Sequence, residues 1–129
     1  MAFRLPPRAV LAIWISYWCV LFVLTHIPMA QGPIRFQHAD KVEHVVAYFG
    51  LTMLGGWRLA LRHRHVSRAL LWRWAAAYAL YGIADEALQP LVERTLSLGD
   101  WLADAAGIVV GTLAFEWILR KRLSEPSAR

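Results

Sequence analysis

Cysteine is almost missing from this chain: Cys19 is the single one among 129 residues. That excludes an intramolecular disulfide and any metal cluster built on cysteine. Positive charge is scarce in a more selective way. Of the fourteen Lys and Arg residues, only Arg35, Lys41 and Arg94 fall in the connections after the first and third apolar runs; the others flank the runs at their opposite ends. The chain carries a formal charge of +5 and a pI near 10.0, but charge sorted in this way does not form the continuous basic face that reads nucleic acid. Nucleic acid is therefore not an expected partner.

Apolar surface is abundant. Hydrophobic residues make up 58% of the chain and mean hydropathy is +0.40, above the globular norm of about 45–50%. Four runs, at about residues 10–27, 42–61, 70–92 and 101–119, each span roughly 27–34 Å as helix, enough for a hydrocarbon core of ~30 Å. The expectation is an all-α, integral-membrane four-helix bundle, one domain over residues 1–129. Arg4, Arg8, Arg58, Arg62, Arg64, Arg68, Arg73, Arg120, Lys121, Arg122 and Arg129 share one side. The positive-inside rule makes that side cytoplasmic, with both termini there and the chain multi-pass in the inner (cytoplasmic) membrane. Such a basic rim contacts anionic lipid, so membrane lipids are expected partners.

The first run could instead be a signal peptide, since Arg4 and Arg8 precede it and Pro28-Met29-Ala30 loosely resembles a cleavage site. Its apolar stretch from Ala9 to Thr25 exceeds the usual ~7–15 residues of such a segment and carries Trp14, Tyr17 and Trp18, so it reads as a retained helix. Thr25-His26-Ile27-Pro28 ends it, because proline biases its predecessor away from helix. Asp40 can cap the second helix, Asp100 can cap the fourth, and Trp101 can anchor the fourth outside. The segment Arg62-His63-Arg64-His65 reads as an orienting, lipid-contacting loop.

Polar residues gather at the outer ends of helices two to four. Asp40, His44 and Tyr48 recur at intervals of four, with Lys41 beside them. In the third run, which begins near Ala69, Tyr81, Asp85 and Gln89 are likewise four apart, and Glu86 shares a face with Gln89. Arg94, Ser97 and Asp100 follow, with Asp104 one turn deeper. Ionisable groups at membrane depth are costly enough to mark a functional site. Ala103, Gly107 and Gly111 form a small-residue stripe that suits close helix packing, either inside the chain or in a homo-oligomer.

Taken together these residues resemble the VanZ-like family. The resemblance lies in Asp40-Lys41-x-x-His44-x-x-x-Tyr48-x-x-Leu51, then Tyr81-Gly82-x-x-Asp85-Glu86-x-x-Gln89, then Arg94-x-x-Ser97-x-x-Asp100-x-x-x-Asp104-x-x-Gly107-x-x-x-Gly111. It covers about residues 39–112. It implies a small multi-pass bacterial membrane protein, in a family named for a member linked to resistance to the glycopeptide teicoplanin. Asp104 departs from the asparagine often found there in the family and adds a potential charge at depth.

The resulting expectation is an outward-facing polar site that binds, and could process, an anionic lipid or lipid-linked envelope precursor. Lys41, His44 and Arg94 would meet phosphate, while Tyr48, Tyr81 and Trp101 would line the sugar or isoprenoid path. His44 and Glu86 are the candidate general bases, and Asp40, Asp85, Gln89, Ser97, Asp100 and Asp104 complete the ligand-binding set. Whether the chain is an enzyme stays open at this point, as does any cofactor. Competing readings are a purely structural polar network or partner-binding scaffold, proton or small-solute movement, and a divalent cation among His44, Glu86, Asp100 and Asp104. No close HExxH-like spacing supports the last, so no metal ligand is assigned.

The charge sorting is open to direct test. A green fluorescent protein fused after Arg129 should fluoresce, and alkaline phosphatase fused there should be inactive; the opposite pair of results would reverse the expected orientation.

Overall fold

The computed structural model describes residues 5–27, 39–92 and 97–124, and these are all-helical, with no strand among them. The helices are α1 (Pro7–His26), α2 (Ala39–Arg62), α3 (Arg68–Leu88) and α4 (Leu98–Ser124), with a 3-10 turn, Gln89–Val92, closing α3. By length and composition two of them, Pro7–His26 and the Leu98–Arg122 part of α4, are apolar enough to cross a membrane.

The helix ends follow from backbone chemistry. Pro7 occupies the first turn of α1, where its missing N–H costs nothing. At the other end Ile27 precedes Pro28 and is extended (φ −76°, ψ 126°), as the residue before a proline should be. Ser67 caps α3 by accepting the Leu70 N–H at 3.2 Å, so that helix starts slightly before the run read from sequence. Pro90 cannot donate to the carbonyl four residues back, and the chain tightens there into the 3-10 turn.

Two capping expectations need correction. α4 begins at Leu98, and Ser97 Oγ accepts the Asp100 N–H at 3.2 Å, so Ser97 rather than Asp100 does the capping. Asp40 likewise lies within the first turn of α2, which begins at Ala39. Both carboxylates still sit where the helix dipole favours negative charge.

α2 and α4 form the spine. α2 buries one stripe, His44, Tyr48, Leu51, Thr52, Gly55, Gly56 and Leu59, and α4 meets it with small residues. A methyl group at Gly107 would overlap the Val45 carbonyl oxygen and stand 3.0 Å from the Phe49 nitrogen; one at Gly111 would lie 2.9 Å from Thr52 Cβ. Gly56 repeats the device from the other side by receiving the Phe115 ring. The small-residue stripe of α4 therefore serves an internal contact. Thr52 and Thr112, buried within this seam, donate to carbonyls of their own helices, Tyr48 and Ile108, each at 2.8 Å.

α3 packs on α4, and α1 lies on α2 and α3 through aromatic edges. Trp18 stands edge-on to Tyr78 and Tyr81, with ring centroids 5.6 and 5.0 Å away. Trp14 Nε1 donates to Tyr78 Oη at 3.2 Å, and Tyr17 Oη donates to the Ala47 carbonyl at 2.8 Å. At the end carrying Arg68 and Arg120, Glu116 is buried and ion-paired to both, with Arg68 Nε at 3.3 Å.

The seam predicts an ordering of glycine substitutions. Gly107→Ala should destabilise the chain by roughly 1–3 kcal/mol, because the methyl meets fixed backbone. Gly82→Ala, whose methyl would make ordinary contacts at 3.4–3.5 Å, should be neutral or mildly stabilising, because alanine is the better helix former. Unfolding of the two purified variants in the same detergent checks the order.

Candidate functional site

The polar residues collect at the end of the bundle where α1 finishes and α2 and α4 begin, and they fall into two tiers. The outer tier is partly exposed: Lys41 Nζ donates to Asp100 Oδ1 at 3.0 Å and lies 3.5 Å from Asp40 Oδ2. Its hydrogen bond to Asp100, with the two nearby negative charges, holds the Lys41 ammonium above the usual lysine range, so it remains a cation at neutral pH. Ser97 belongs to this tier as the cap of α4.

The inner tier is buried: His44 and Tyr48 from α2, Asp85 and Glu86 from α3, Gln89 from the 3-10 turn and Asp104 from α4. His44 Nδ1 and Asp104 Oδ1 are joined at 2.8 Å. Helical spacing brings the α3 groups to this point. Tyr81 Oη donates to Asp85 Oδ1 at 3.3 Å across one turn, and Gln89 Nε2 donates to Glu86 Oε1 at 3.1 Å. The Ser97 N–H donates to Glu86 Oε2 at 3.0 Å, so Glu86 ties α3 to the start of α4.

α1 supplies two members that sequence reasoning left out. Thr25 Oγ1 donates to Asp85 Oδ1 at 3.2 Å, and His26 Nδ1 lies 3.7 Å from the same oxygen. A signal was available: Thr25 and His26 are adjacent polar residues at the outer end of an otherwise apolar helix. Trp101, expected as an anchor and as part of the sugar or isoprenoid path, donates its indole N–H to the Ala79 carbonyl at 3.3 Å. Arg94 lies outside the described residues.

Buried charge is the site's unusual property. Asp85, Glu86 and Asp104 are each 4% exposed or less, yet among the described residues none forms an ion pair with a lysine or arginine. Among the described residues Asp85 and Asp104 instead meet imidazoles, those of His26 and His44. Four buried polar atoms have no hydrogen-bond partner among the described residues: His26 Nε2, Tyr48 Oη, Asp85 Oδ2 and Asp104 Oδ2. Two of these, Tyr48 Oη and Asp104 Oδ2, lie against the bare Cα of Gly82, 3.5 and 3.4 Å from where a methyl group would stand. No family model, curated protein or solved structure matches the chain.

The inner tier opens sideways. Between α1 and α2 a cavity of about 340 Å³ is walled by Tyr17, Val20, Leu21, Leu24 and Ala47 and ends on Thr25, Glu43, His44 and Tyr48. His44 therefore lines the cavity with Asp104 bonded behind it. Of the two candidate bases only His44 reaches this opening; Glu86 lies behind, held by Ser97 and Gln89.

The His44 to Asp104 contact can be probed by its repair. His44→Ala leaves the Asp104 carboxyl buried without its partner and should cost about 3–5 kcal/mol, whereas the apolar double variant His44→Leu/Asp104→Leu should recover most of that loss. A double-mutant unfolding cycle reads the coupling, and an additive result would show that the two side chains do not interact.

Proposed function

We propose that this chain is a multi-pass protein of the bacterial cytoplasmic membrane, related to the VanZ-like family. Its outward-facing polar site binds an amphiphile, an anionic lipid or lipid-linked envelope precursor, through the groove between α1 and α2. The observation that carries this reading is the groove itself: an apolar trough of acyl or isoprenoid character that terminates on polar groups.

Several features support the membrane setting. α1 exposes Ile13, Ile15, Val20, Val23 and Leu24, α3 exposes Leu80 and Ile83, and α4 exposes Val110, Leu113 and Trp117. Apolar surface this continuous is costly in water and suited to lipid. The opposite end has the complementary chemistry, a second cavity of about 280 Å³ lined by Arg58, Arg62 and His63 with Trp14, Trp74 and Tyr78. Arginine and tryptophan at that level fit a cytoplasmic interface, with both termini inside. In this frame α2 and α3 also span the bilayer, their polar outer ends facing one another and the groove.

Within the site His44 is the residue placed to act on a bound headgroup, since its imidazole lines the groove and Asp104 fixes its orientation. That arrangement suits a general base. A link to glycopeptide resistance would follow from handling envelope lipid at the outer leaflet. The alternative, a structural network or partner scaffold, is favoured by Glu86, whose oxygens hold the first turn of α4 to α3.

Native mass spectrometry in mild detergent separates the two. Wild type should retain a phosphorylated lipid, and Ala47→Trp, which fills the groove, should lose it while remaining folded. Bare wild-type protein, or lipid held equally by both, would favour the structural account.

A further inference from the structure

We infer that His44, Glu86 and Asp104 form a binding site for a divalent first-row cation of the Zn²⁺ or Mn²⁺ type. One ligand atom from each of the three residues can be chosen so that all lie within 4.8 Å of one another, and all three residues are buried. Donors around such an ion, at metal-to-ligand distances of ~2.0–2.2 Å, stand roughly 3.3–3.5 Å apart, so small side-chain adjustments close the set. One imidazole with two carboxylates is a borderline donor set, suited to Zn²⁺ or Mn²⁺ more than to Ca²⁺ or Mg²⁺.

Two observations outside the triad's own hydrogen bonds point to a ligand. Asp104 is 1% exposed, yet its Oδ2 has no partner among the described residues. Tyr48 is fully buried, and its hydroxyl, also without a partner among the described residues, lies with Asp104 Oδ2 against Gly82.

Charge leads to the same place. Glu116, the other buried acid of α4, is met by two guanidinium groups. Glu86 and Asp104 have no such partner among the described residues, and buried carboxylates without one carry a desolvation cost that a divalent ion would offset. The set differs from the four residues read from sequence, because Asp100 turns to Lys41 instead. The site does not depend on lipid in the groove, and with the ion bound His44 is its ligand and not a general base. With lipid present, an ion behind His44 would supply the positive charge that a phosphate group requires beside so many acids.

The test uses the full chain without an affinity tag, purified in detergent, stripped with a chelator, and loaded with Zn²⁺ or Mn²⁺ with no lipid added. One ion per chain should remain after desalting with at least one of the two metals. Glu86→Gln and Asp104→Asn should each weaken binding by more than the roughly 10–100-fold typical of losing a group that only supports a ligand. Asp100→Asn and the double variant His63→Ala/His65→Ala should bind as wild type does. X-ray absorption of the loaded wild-type protein should report one imidazole among oxygen ligands, which keeps the test decisive even if a variant fails to fold. Retention of neither metal, undiminished binding in folded Glu86→Gln and Asp104→Asn, or a shell without imidazole would each overturn the assignment. Lipid retention is read separately, so either proposal can fail alone.

Discussion

The polar site exists because two backbones touch. Gly107 and Gly111 let α4 settle onto the α2 main chain at Val45 and Phe49 and against the Thr52 side chain, and this closeness brings Asp104, one turn above Gly107, to 2.8 Å from His44 beside Val45. Longer side chains at the seam would hold the axes apart, as they do in ordinary helix pairs at 8–10 Å. The buried carboxyl would then be deprived of its imidazole. Packing at glycine and electrostatics at aspartate are thus one constraint, and α3 and α1 are added around a contact that α2 and α4 define.

The two ends of the bundle handle buried charge differently. Glu116 is enclosed by Arg68 and Arg120, a local arrangement that is complete as it stands. At the other end Asp85, Glu86 and Asp104 share neutral donors and imidazoles, and among the described residues three oxygens and a ring nitrogen lack partners. Interiors ordinarily satisfy such groups, so concentrated exceptions mark places where something beyond folding is served. The proposed lipid groove and the proposed cation site both draw on this difference.

Much of the architecture was legible in the sequence, since apolar runs of membrane length separated by polar connections leave few alternatives to four helices. The glycine stripe and the i, i+4 polar ladder of α3 were legible for the same reason: helical periodicity is local. Helix starts shifted because Ser67 and Ser97 offered caps ahead of the residues that composition favoured. Spacing also placed Asp100 with Asp104 on one face, whereas packing turned Asp100 toward Lys41 and left Asp104 to His44. The contribution of α1 could not be read from its own periodicity. Thr25 and His26 matter only because α1 ends level with Asp85, and relative depth is a property of the assembled helices.

The aromatic attachment of α1 carries a different mechanical character from the seam. Edge-on rings with centroids 5.0–5.6 Å apart attract over a broad range of offsets, each pair worth about 0.5–1.5 kcal/mol, while a methyl-sized misfit at Gly107 meets rigid backbone at once. Strain applied across the bundle would consequently be taken up unevenly, with α1 rocking on its rings while α2 and α4 hold register. The groove lies on the neighbouring α1–α2 side of that joint, so movement of α1 on its rings would alter the groove's width while the seam keeps the distance between His44 and Asp104.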